Sequence, residues 1–174
     1  MAAPPAGLTL EHHRDLEGRE RRPWSRRILL TALALLCGAA LLNAYGQAAD
    51  VDTVQGQGAE LEIKAPPRVR GGIYYELRFE VRAQRELREA VLVLGSGWFE
   101  GITINTVLPG PLGEASRDGD VSFQLGRVPA GDRHVLWLQA QVNPTTVSRR
   151  DVTVELYDGE AIVARHDRTL TVLP

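Results

Sequence analysis

Cysteine, lysine and methionine each occur once in the 174 residues, and aromatic side chains make up only 6% of them. The lone cysteine, Cys37, lies inside an apolar run, so the rest of the chain has neither a disulfide nor thiol chemistry. Its stability must come from packing. Of the four histidines, His12 and His13 precede the apolar run, while His134 and His166 lack a second His or Cys at ligand spacing, so no metal site is expected. Asp118-Gly119-Asp120 lacks the rest of a calcium loop and reads as a hairpin turn. No glycine-rich loop leads into a helix to cradle phosphate, and no basic patch carries interleaved aromatics. Cofactors and nucleic acid are therefore not expected.

Catalytic equipment is equally sparse. Ser96 sits in Gly95-Ser96-Gly97, which lacks the spacing and the strand-to-helix elbow of a serine nucleophile. Asp132 and His134 can be drawn into a triad with it, but nothing in the sequence fixes their geometry. No catalytic residue is assigned, and an envelope hydrolase is the weakest of the functional readings.

What the chain does have is a charge-free run from Ile28 to Tyr45, preceded by Arg19, Arg21, Arg22, Arg26 and Arg27. As a helix this run is roughly 27 Å long, close to the thickness of a bilayer core. Trp24 and Tyr45 stand near its two ends, where amphipathic aromatics settle. The arginine flank predicts a single-pass signal anchor in the cell membrane with a cytoplasmic N-terminus and an extracytoplasmic C-terminal part. The competing reading is a signal peptide cleaved after Gly46, since Ala44-Tyr45-Gly46 offers small residues. The long charged region before the run and the length of the run itself favour retention. Nineteen arginines against one lysine read as a GC-rich, bacterial coding background.

The expected organisation is a basic, disordered cytoplasmic tail (1–27), a transmembrane helix (28–45), a polar linker (46–58) and one extracytoplasmic domain (59–174). In Ile73 to Arg82, apolar Ile73, Tyr75, Leu77, Phe79 and Val81 alternate with Glu76, Arg78, Glu80 and Arg82, the period of a half-buried strand. Leu61 and Ile63, Val91 to Leu94, Ile102 and Ile104, Val121 to Leu125, Arg133 to Val142, Val152 to Leu156 and Ile162 to Val172 supply further strands. Asp158-Gly159 predicts a tight hairpin. Ala83 to Ala90 reads as a polar loop or a single helical turn, and Asn105 to Leu112 as an apolar, proline-bearing loop. The result is an all-β chain: an antiparallel sandwich of 7–8 strands behind one transmembrane helix.

Trp98-Phe99-Glu100-Gly101, followed by Phe123-Gln124-Leu125-Gly126-Arg127-Val128-Pro129-Ala130-Gly131 running into a long strand, resembles the immunoglobulin-like or fibronectin-type modules of bacterial membrane-anchored surface proteins. The resemblance covers residues 59–174 and implies a sandwich in which that passage carries the chain between sheets. The cysteine pair and tyrosine corner of antibody-type domains are absent.

Trp98, Phe99 and Trp137 are the candidate binding residues; the adjacent Trp98 and Phe99 point in opposite directions if extended, and the competing reading puts one of them in the sandwich core and the other over a loop. Trp137 lies on the mixed face of its strand with Val135, Gln139 and Gln141, opposite Leu136, Leu138, Ala140 and Val142. These features predict a non-enzymatic, membrane-anchored module that binds another membrane or envelope protein. A carbohydrate- or polymer-binding module, with the three aromatics as a platform, is the alternative.

Overall fold

A computed structural model describes residues 22–42, 44 and 47–174. The basic tail through Arg21, Tyr45 and the proposed cleavage point at Gly46 lie outside the described residues. The chain separates into two units, Met1–Tyr45 and Gly46–Pro174.

In the first unit, α1 spans Arg22–Leu41, and Trp24–Leu41 is apolar and long enough to cross a membrane. The helix thus begins six residues before the predicted span and ends four short of Tyr45. Arginine is a good helix former, so Arg26 and Arg27 continue the helix although they break the apolar pattern.

The second unit is an immunoglobulin-like sandwich of two sheets. Its described residues hold eleven strands rather than seven or eight: β1 (Asp50–Gln55), β2 (Ala59–Ala65), β3 (Arg68–Arg70), β4 (Tyr74–Ala83), β5 (Leu87–Leu94), β6 (Ile102–Leu108), β7 (Gly113–Arg117), β8 (Asp120–Val128), β9 (Arg133–Val142), β10 (Ser148–Asp158) and β11 (Ala161–Leu173). One sheet has the order β1-β2-β4-β9-β6, and the other β3-β11-β10-β5-β8-β7. All pairings are antiparallel except β3 with β11, where Thr171 to Leu173 run parallel to Arg68 to Arg70.

The alternation that predicts β4 also builds the core. Tyr75, Leu77, Phe79 and Val81 point inward beside Leu136, Leu138 and Ala140 of β9, and face Leu92, Leu94, Phe123, Val154 and Leu156 of the other sheet. Ile73 departs from this set: it precedes β4 and is exposed. The Asp118-Gly119 hairpin forms as expected, with both residues at positive φ between paired Arg117 and Asp120. In the β10–β11 hairpin, Asp158 pairs with Ala161, so the turn is Gly159-Glu160, one residue later than predicted, and only Gly159 has positive φ.

Three further segments differ from expectation. The predicted linker 46–58 contains β1, which pairs with β2 along its whole length and is fastened to the opposite sheet. Arg168 reaches the Asp52 carboxylate at 3.0 Å, and the Gln57 amide donates to the Val163 carbonyl at 2.9 Å. Polar composition hid this strand because it lies at a sheet edge, where only one side needs covering. The predicted loop 83–90 is a short turn followed by the first half of β5, with Leu87 and Ala90 buried. The predicted loop 105–112 begins as the second half of β6 and leaves the strand only at the cis Leu108-Pro109 bond.

Candidate interaction face

The outer face of the five-stranded sheet is built by residues of opposite parity to the core. Across β4, β9 and β6 they form rows: Tyr74, Gln141 and Thr103; Glu76, Gln139 and Thr106; Arg78, Trp137 and Leu108. A bulge between Ile104 and Thr106 restores outward parity to Thr106 and Leu108. That is why Leu108, on a segment read as a loop, stands beside Trp137.

Below these rows the face is charged. Arg78 donates to Glu62 at 3.0 Å and also to Glu80; Arg82 donates to Glu80 at 2.8 Å and to Glu60 at 3.2 Å; Arg133 lies 3.8 Å from Glu80. Glu80 is only 1% exposed although it points outward, because arginine stems cover it. The hydrogen bond from Arg82 holds its carboxyl below the usual range, against the burial that would raise it and helped by the charges of Arg78, Arg82 and Arg133.

Trp137 is 43% exposed, and the Arg78 guanidinium stacks over its ring at 5.2 Å from the centroid. Because Glu62 and Glu80 hold Arg78 in turn, the indole is fixed on the face. Next to it lies an open recess of about 380 Å³ lined by Glu76, Thr106, Leu108, Trp137, Leu138 and Gln139. Leu108 is 58% exposed, and the Glu76 carboxylate has no hydrogen bond or ion pair with any described residue.

The three aromatics expected to bind do not share this site. Trp98 ends a short 3-10 turn (Ser96–Trp98) and is wholly buried, packed edge-on against Phe79 at 6.2 Å, with its indole N–H donating to the Thr153 carbonyl at 3.0 Å. It joins the two sheets as a core residue. Phe99 is partly buried against the same core. Trp137 alone of the three sits on the face. Glu76, Arg78 and Leu108 were not singled out from sequence: the first two looked like ordinary alternating charges, and the bulge hid the third.

The residues considered for catalysis do not assemble either. Ser96 borders a polar recess of about 240 Å³ on the other sheet, with Asp120, Asp151, Glu155 and Arg165. The carboxylates there are already engaged, Asp120 by the Ser96 amide, Asp151 by Thr169, and Glu155 by Tyr157 and Arg165. His134, whose pKa burial lowers, is near the start of β9 in the opposite sheet, and Asp132 immediately precedes that strand. Among the described residues no group of three His, Cys, Asp or Glu side chains is arranged to hold a metal.

No family model matches the chain, and no curated protein matches it. Among solved structures it is similar to the CARDB domain of a Pyrococcus furiosus protein, at 11% identity and TM-score 0.44 over 67% of this chain and 94% of that one. It is also similar to a non-cellulosomal cohesin from the archaeon Archaeoglobus fulgidus, at 13% identity and TM-score 0.40 over 70% of this chain and 91% of that one. A third is AvmM, described as catalysing macrocyclization in alchivemycin A biosynthesis, at 8% identity and TM-score 0.43 over 74% of this chain and 90% of that one. At such identities nothing of those proteins' activities or partners transfers to this chain.

Proposed function

We propose that this chain is a non-enzymatic, single-pass membrane protein whose extracytoplasmic sandwich docks onto another membrane or envelope protein through the outer face of the five-stranded sheet. The observation that carries the reading is Trp137: a large aromatic, exposed on a regular strand, held by Arg78 and bordered by an open recess. Tryptophan and arginine are enriched among residues that dominate binding energy, and a pre-fixed side chain loses little entropy on docking. The apolar α1 supports a membrane anchor, with the arginine flank favouring a cytoplasmic N-terminus. Confinement near the membrane raises the effective concentration of the sandwich for a neighbour in the same layer. The carbohydrate alternative loses Trp98 to the core, and Phe99, partly buried against that core, does not join Trp137 in one platform.

The test is in-cell photocrosslinking with a photoreactive residue at Gln139, beside Trp137, and a control at Thr171 on the other sheet. The reading expects a discrete protein adduct from position 139 that is absent from position 171. Enriched polysaccharide without a protein neighbour would sink it.

A further inference from the structure

Strand β6 ends the five-stranded sheet and pairs only with β9. Recesses lie against both of its faces. On the outer face is the one beside Trp137, to which Thr106 and Leu108 contribute. On the inner face is a cleft of about 300 Å³, where apolar Phe99, Ile104, Val107, Val121 and Phe123 are joined by Asn105, Thr106 and Glu114. Phe99, Ile104, Val107 and Val121 are all only partly buried against the core, so the cleft opens onto it without being filled.

An extended peptide that adds to a sheet edge sends alternate side chains to opposite faces, so paired recesses on either side of an open edge match its period of two. The charge is matched as well. The carboxylates of Glu76 in the outer recess and Glu114 in the inner one have no ion pair or hydrogen bond with any described residue. Arg78, in the next row of the outer face on β4, is neutralised by Glu62 and Glu80. The outer recess therefore suits a lysine or arginine, its stem on Leu108 and the Trp137 ring and its charge toward Glu76. The inner cleft suits an aliphatic side chain.

The edge at β1 is less open. Asp52 is held against the opposite sheet by Arg168, an arrangement that discourages strand addition, whereas β6 carries no such charge among its own residues. Its bulge and Pro109 confine pairing to the three residues Thr106 to Leu108.

We infer that β6 is the docking edge for an extended basic segment of the partner protein, which adds as a sixth strand with Lys or Arg side chains in the Trp137 recess and aliphatic ones in the inner cleft. This rests on the protein-docking reading and names the partner's chemistry.

The experiment uses the full chain in lipid nanodiscs, with fluorine-labelled tryptophan read by NMR and buried Trp98 as an internal control. Probes are the end-blocked heptapeptide Val-Lys-Val-Lys-Val-Lys-Val, its Glu-for-Lys counterpart, and two versions N-methylated on one or the other alternate set of amides. The Lys peptide is expected to shift the Trp137 resonance and to bind at least about tenfold more tightly than the Glu peptide. Glu76→Gln should weaken it by about tenfold, and one of the two N-methylated versions should lose binding. Equal binding of the Lys and Glu peptides, full binding by both methylated versions, or no shift at Trp137 at millimolar peptide would overturn the proposal. A protein adduct from position 139 combined with any of these results rejects the edge and leaves the face reading intact. Absence of any protein adduct rejects the face reading itself.

Discussion

The two tryptophans of the sandwich make opposite predictions. Trp98 is fully buried, meets Phe79 edge-on and shares the Thr153 carbonyl of β10 with the Gly95 N–H. Trp98→Ala removes the largest side chain in the core, which typically costs about 3–5 kcal/mol. Trp98→Phe keeps an aromatic ring but leaves a gap and removes one of the two hydrogen bonds to the Thr153 carbonyl, which keeps the Gly95 N–H at 2.9 Å, for about 1–2 kcal/mol. Trp137→Ala loses a cation–π contact of about 0.5–1 kcal/mol and a half-exposed surface, for less than about 1.5 kcal/mol in all. Urea unfolding of the full chain in detergent micelles, followed by the strand signal in far-UV circular dichroism, measures all three. If Trp137→Ala destabilises as much as Trp98→Ala, the division into a core tryptophan and a surface tryptophan is wrong, and Trp137 loses its claim to be a binding residue.

The remaining predictions concern packing and charge. A Cβ on Gly97 would lie 2.5 Å from the Asp151 carbonyl oxygen and 3.0 Å from Val152 Cγ1, so Gly97→Ala should destabilise by about 1–3 kcal/mol in the same titration. Glu80→Gln strips Arg78, Arg82 and Arg133 of a shared counter-charge. Because Arg82 and Arg133 are exposed, the loss should be about 1–2 kcal/mol, below that of a fully enclosed pair. Burial depresses the pKa of His134 below its ordinary 6.5, so its contribution is intact above that pH and is lost as pH falls through the lowered value. Stability measured across pH should therefore decline below about 6.5, and His134→Gln should flatten that decline. A second decline, from Glu80 and Asp167, belongs below the ordinary carboxylate range, since both are depressed, chiefly by hydrogen bonds from Arg82 and Arg165 respectively.

The sandwich was legible wherever one face is buried. In β4 and β9 a period of two must put every second side chain in the core, and Arg133 to Val142 was read with its observed bounds. Edge strands escaped because burial constrains them weakly. β1 is polar, β3 is three residues long, and β7 is Gly-Glu-Ala-Ser-Arg. Of the site, Trp137 was legible from parity alone. Leu108 was not, since an inserted residue at a bulge breaks the count on which parity depends. Adjacency put one of Trp98 and Phe99 inward without saying which; Gly97 is small so that the turn can lie against the β10 backbone and drop the Trp98 indole into the core.

The docking claim is tested most directly by comparing the photocrosslinked neighbour of position 139 in cells carrying the wild-type sandwich and the Trp137→Ala variant at matched levels. The account predicts a discrete protein adduct in the wild type that falls by about tenfold or more in the variant, as expected for removal of a central aromatic anchor. An unchanged adduct in the folded variant would contradict it.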